Sequence, residues 1–236
     1  MDQTTALPGP EGFEGPAADT PTAPGRRLPP PAALVDLVQR IEGSPGLDAP
    51  GAVVEKLARA VARPGAAHDL LVGTWLGHAL HPLMTDVPIG LWTSASVLDL
   101  VGGRSSRPAA RRLVGLGVAA AVPTAATGLA EWLHADAASR RVGVVHANAN
   151  SVGLAFYGAS FLARRRGRHA RGVALALAGG VAVAVGGYLG GHLAVARKAG
   201  TRDPRFATAA ATEDVDYGAI VAPQPPLGAS GTPTGA

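Results

Sequence analysis

The chain has 236 residues, 47% of them hydrophobic and only 16% charged, with a mean hydropathy of +0.19, whereas a soluble domain carries about a quarter charged residues. Cysteine is absent, which excludes disulfides, Cys-ligated zinc, iron–sulfur clusters, covalently attached haem and thiol catalysis. The net charge of +4 is spread over separated arginine groups, which argues against a nucleic-acid binder.

Residues 1–31 are rich in Pro, Gly, Ala and Thr and have no apolar period, which predicts a disordered tail without a signal-peptide pattern. Residues 32–69 predict two short amphipathic helices. Ala33–Ile41 places Leu34, Leu37, Val38 and Ile41 on one face, and Val53–Val61 does the same with Val54, Leu57 and Val61. Helices this short are marginal alone, so they pack on something or lie at a membrane surface.

Residues 70–200 change character. Four apolar stretches, 83–103, 113–133, 142–163 and 173–196, are separated by short charged loops. Each has about 20 residues, the length that crosses roughly 30 Å of hydrocarbon. The first carries Asp86, Pro88 and Asp99, and the second carries Pro123 at mid-length. A buried soluble bundle is disfavoured, because its helices usually show a charged face and stretches two to four have none. Gly186/Gly190 and Gly187/Gly191 are overlapping small-residue pairs suited to close helix contact in lipid. The expected fold is therefore all-α: a polytopic membrane protein with a four-transmembrane-helix bundle. Residues 201–236 read as a flexible tail.

The loops orient the bundle. Arg104, Arg107, Arg111 and Arg112 lie between spans one and two, and Arg164, Arg165, Arg166, Arg168 and Arg171 between spans three and four. The positive-inside rule puts both loops in the cytoplasm and both termini outside.

Depth then gathers the polar residues. His78, His81 and Asp86 fall at the outer end of span one, and Glu131 and His134 at that of span two. His146 lies just inside span three, and His192 near the end of span four. Ionisable residues in membrane helices are costly and usually functional. Thr124, Thr127, Glu131 and His134 form one stripe. His146, Asn150, Gly153 and Tyr157 form a second, and Tyr188 with His192 a third. Such stripes face a bundle interior. The cluster suits several chemistries: haem b between two imidazoles with glycines making room, a non-haem metal on His81, His146 and His192, a proton relay, or simple locking of the bundle. Taken singly, His68 and His169 read as solvated and His134 as interfacial. Trp75 and Trp132 read as interface anchors and Trp92 as packing.

The run from Gly73 to Thr93, with Gly77-His78-Ala79-Leu80-His81-Pro82 at its centre, resembles the signature of the DUF2231 family of membrane proteins. So do Leu98–Gly103, Pro123–Trp132, His146 and the run Gly186–His192. The similarity covers roughly residues 33–200, and Ala79 stands where the family's opening has proline. The resemblance implies a four-helix membrane anchor. Such blocks are found fused to Rieske [2Fe–2S] or c-type cytochrome domains, company that implies electron transfer. This chain lacks the cysteines of a Rieske centre, so a redox partner would be a separate protein.

The expectation is thus an inner-membrane protein serving electron transfer. His146 and His192 would be axial ligands of haem b, His81 a replacement for either, and His78 a further candidate. Asp86 and Glu131 would orient imidazoles or handle protons. The alternative is a non-catalytic anchor or assembly partner of a redox complex. The lipid bilayer and a Rieske or cytochrome protein are the expected partners, an oligomer stays open, and no hydrolase or nucleotide motif is present.

Overall fold

The computed structural model describes residues 32–200, so the two expected flexible tails lie outside the described residues. The described residues are all-helical: α1 (Ala32–Glu42), α2 (Asp48–Val61), α3 (Ala66–Val72), α4 (His81–Val101), α5 (Arg107–Trp132), α6 (Ala137–Arg165) and α7 (His169–Gly191). One wide helical turn, His192–Ala196, prolongs α7.

Local sequence sets the boundaries. Asp136 caps α6, its carboxylate accepting from the Ser139 amide at 2.9 Å. The helix stops where Gly167 takes the left-handed conformation with φ 74°, and the Arg168 amide turns back onto the Ala163 carbonyl at 3.0 Å. The three residues after Arg165 therefore reverse the chain, and α6 and α7 form an antiparallel hairpin. α4 and α5 form a second one through residues 102–106. The hairpins meet mainly through α5 against α6.

Glycine governs the packing. A Cβ on Gly117 would stand 2.3 Å from the Trp92 indole nitrogen, and one on Gly143 2.7 Å from the Trp132 ring. Bulky side chains thus sit in notches cut by glycine on the neighbouring helix. Trp92 also stacks flat on Tyr157, with ring centroids 4.0 Å apart. Pro88 within α4 leaves the Met84 carbonyl without its helical donor. The Thr124 hydroxyl of α5 lies 3.1 Å from that oxygen.

α1 packs on α6, α2 on α5 and α6, and α3 on α5, so the N-terminal helices cap one end of the bundle. Their expected apolar faces hold in part, since Ile41 packs beside Val38 and Val54 packs on the α2–α5 core. α2 buries Gly51, Glu55 and Ala58, and Ala62 after it, while Leu57 and Val61 stay exposed. On α1, Val38 is buried, and Leu34 and Leu37 are exposed. Close approach to Ala130, Trp132 and Leu133 selects small side chains, and alanine meets that need where leucine would not.

Among the described residues, two helical segments are long and apolar enough to cross a membrane, α5 and the stretch His169–Ala196. α4 and α6 have the length but are more polar, because they carry Asp86 and Asp99, and Arg140, Arg141, His146 and Asn150. All four helices nonetheless expose large apolar side chains. Leu83, Val87, Val97 and Leu100 do so on α4, and Leu116 and Val122 on α5. Val152 and Leu162 do so on α6, and Leu177, Val181 and Val185 on α7.

Candidate functional site

Two of the expected ligands meet. His81, the first residue of α4, reaches across to α5. Its Nδ1 lies 3.0 Å from the Thr124 carbonyl and 3.2 Å from the Thr127 hydroxyl. His146 of α6 reaches α7, where its Nδ1 lies 2.8 Å from the Gly186 carbonyl. A carbonyl only accepts, so each ring carries its proton on Nδ1 and presents the Nε2 lone pair. The two rings meet edge to face with centroids 6.1 Å apart. Asn150, one turn after His146, brings its amide nitrogen to 3.2 Å from the His146 Nε2. The sequence stripes on α5 and α6 therefore do face the interior, with Thr124, Thr127, Gly153 and Tyr157 buried.

The other expected ligands point elsewhere. His192 leaves the cluster and bonds Glu42 of α1, Nε2 to Oε1, at 2.9 Å. Tyr188, its stripe partner, is exposed. His78 is exposed, with Nδ1 3.0 Å from the Ala79 carbonyl. Asp86 is exposed on α4. Glu131 is half-buried, with its carboxylate beside Gly200. These positions separate because a depth argument fixes height along a helix and not the direction in which a side chain points.

The residues present do not fit haem b on His146 and His192, since His192 is held by the capping helix. They do not fit it on His81 and His146 either. Of the four glycines expected to make room for a macrocycle, Gly186 and Gly190 already receive side chains, while Gly187 and Gly191 face open space on the other side of α7. A Cβ on Gly128 would be 2.8 Å from the His81 ring, one on Gly190 2.9 Å from the His146 ring, and one on Gly186 2.6 Å from Asn150. Nor do three His, Asp or Glu side chains converge as metal ligands among the described residues.

Three single-residue expectations are also corrected. Trp132 is buried, not interfacial, and its indole N–H donates to the Arg140 carbonyl at 3.1 Å. His68 and His169 are half-buried and not fully solvated, each with a side chain about 20% exposed. His68 faces His134, and His169 stands 3.5 Å from Asp99.

The strongest polar contact was not anticipated. Asp99 of α4 and Arg164 of α6 form a two-pronged ion pair, Nη1–Oδ1 2.8 Å and Nη2–Oδ2 2.5 Å, with side chains 3% and 1% exposed. Ser160 links it to α7: its Oγ accepts from the Arg164 Nε at 3.1 Å and donates to the Gly172 carbonyl at 2.6 Å. In the sequence Asp99 is one of three interruptions of the first apolar stretch and Arg164 one of five arginines between spans three and four. The signal available was their equal depth on two helices running the same way.

Around the capped end runs a second polar belt. Arg141 grips Asp48 at 2.7 and 3.0 Å and donates to the Glu42 carbonyl at 2.9 Å. The hydrogen bond from Arg141 holds the Asp48 carboxyl below its usual value. Burial would raise Asp136, but its bonds from Ser139 and the Arg197 guanidinium, 2.9 Å away, leave it lowered.

No curated protein and no solved structure matches the chain. The model of one family does, DUF2231, described as a predicted membrane protein, over residues 77–203. That segment holds all four long helices, both members of the imidazole pair and the Asp99–Arg164 bridge. The chain belongs to the DUF2231 family of predicted membrane proteins.

Proposed function

We propose that this protein is a four-span membrane anchor whose interior polar groups lock the bundle, and whose capped end presents a docking surface to a separate partner protein. One contrast carries the reading. The polar side chains between the long helices are turned inward onto one another or onto backbone carbonyls, whereas large apolar side chains stay exposed on all four helices. That is the arrangement lipid demands of a bundle. α4 and α6 count as spans on this view because Asp99, His146 and Asn150 face inward, while Asp86 lies near the start of α4. The spans are about 83–103, 113–133, 142–163 and 173–196, in the bacterial inner membrane, with both termini outside.

Electron transfer through haem b is the competing reading, and the filled glycine notches speak against it. A redox protein of the Rieske or cytochrome kind is the proposed partner, on the family resemblance alone.

The chain's lack of cysteine makes the topology directly testable. Single cysteines at Ser105, Ala138 and Arg168 should be labelled from the cytoplasm, the outside and the cytoplasm respectively. Labelling of Ser105→Cys and Ala138→Cys from the same side would overturn the four-span arrangement. The purified protein should be colourless. A Soret band that disappears in His146→Gln would overturn the anchor reading in favour of haem.

A further inference from the structure

We propose that His68 and His134 form a site for a borderline divalent metal ion, zinc by geometry, which clamps α3 to the end of α5. The two Nε2 atoms face each other at 3.3 Å, from residues 66 apart in sequence. The rings are tilted at 55° with centroids 5.3 Å apart. A tetrahedral zinc with bonds of about 2.0–2.1 Å separates two nitrogen ligands by about 3.3–3.4 Å. The observed spacing is thus one edge of such a tetrahedron. In the metal-free protein the same distance is a long imidazole–imidazole hydrogen bond, which the ion would replace.

The surroundings favour a ligand role for His68. The Asp69 carboxylate stands 3.5 Å from its Nδ1. At that distance the carboxylate makes no hydrogen bond, but its negative charge beside the ring favours a bound cation. The His68 side chain is 20% exposed, so an ion enters without opening the fold. Two imidazoles supply half of a tetrahedral shell, and water or a small anion completes it. Nitrogen ligands select Zn²⁺, Cu²⁺ or Ni²⁺ over Mg²⁺ and Ca²⁺, which prefer oxygen. The site is separate from the His81–His146 pair and does not depend on the anchor reading.

The test uses the full chain without a histidine tag, stripped with chelator in detergent and titrated with zinc chloride by calorimetry. A single saturable zinc site and a higher melting temperature are expected, with no response to Mg²⁺. His68→Gln and His134→Gln should each abolish the binding. Asp69→Asn should weaken it about tenfold, while His81→Gln should leave it unchanged. Cu²⁺ bound to the wild type should show electron-spin coupling to two imidazole nitrogens, a readout that needs no variant to fold. Absence of saturable zinc binding, binding retained in both His→Gln variants, or copper coupled to fewer than two imidazole nitrogens would overturn the site.

Discussion

The two ends of the bundle hold their buried polar groups in different ways. At the end where α4 and α6 finish, Asp99 and Arg164 form an ion pair shut away from water. At the opposite end, His81 and His146 bond backbone carbonyls as uncharged rings. Burying a charge is costly unless its partner is present, whereas a neutral imidazole loses little when its hydrogen bonds are met. The ion-pair end is therefore the more brittle of the two, and the imidazole end the more adaptable.

Arg164→Met tests that contrast hardest. It strands Asp99 and should cost about 3–5 kcal/mol in detergent unfolding. Combining it with Asp99→Leu removes both charges, and that double variant should be neutral or better. If the single and double variants are equally unstable, the bridge acts through shape and the contrast fails.

Packing beside the tryptophan comes next. Gly117→Ala pushes a methyl group into the Trp92 indole and should cost about 1–3 kcal/mol. Gly187→Ala is the control, since a Cβ there meets nothing within 4 Å, and its melting temperature should hardly move. At the imidazole end, His146→Gln keeps a polar group and should cost about 0.5–1.5 kcal/mol, measured in the same unfolding assay. A loss as large as that of Arg164→Met would show that both ends are equally brittle.

The smallest effect concerns the cap. Asp48 is held below its usual value of 3.8 by the Arg141 hydrogen bond. A carboxyl whose folded pKa is depressed gives stability that is present above the unfolded value and lost as pH falls through the folded one. Amide exchange in α1 and α2 should therefore quicken below about pH 3.8, while the α6–α7 hairpin stays protected. In Arg141→Gln that pH step should vanish.

Much of the fold was legible. The four apolar stretches, the amphipathic pair before them and the inward stripes on α5 and α6 all follow from periodicity, because a 3.6-residue repeat fixes which side chains share a face. The α2 face misled for a physical reason. Periodicity finds the apolar stripe at Val54, Leu57 and Val61, but close helix contact chose Ala58 and Ala62, so only Val54 of the stripe packs inward and Leu57 and Val61 stay exposed. His192 misled in a similar way. Its depth matched His146, yet Glu42 on a helix 150 residues earlier supplies a charged partner that no local pattern reveals.

The sequence by itself determined helical class, the family, the absence of thiol chemistry and the height of each polar residue along its helix. Those properties depend on composition and local spacing, which the chain carries without folding. Only the tertiary structure decided which polar residues meet. Partners such as Asp99 and Arg164, His81 and His146, or His192 and Glu42 depend on how helices rotate and cross. That rotation is set by where a glycine lets a neighbour come close, as Gly117 does for Trp92 and Gly190 for His146.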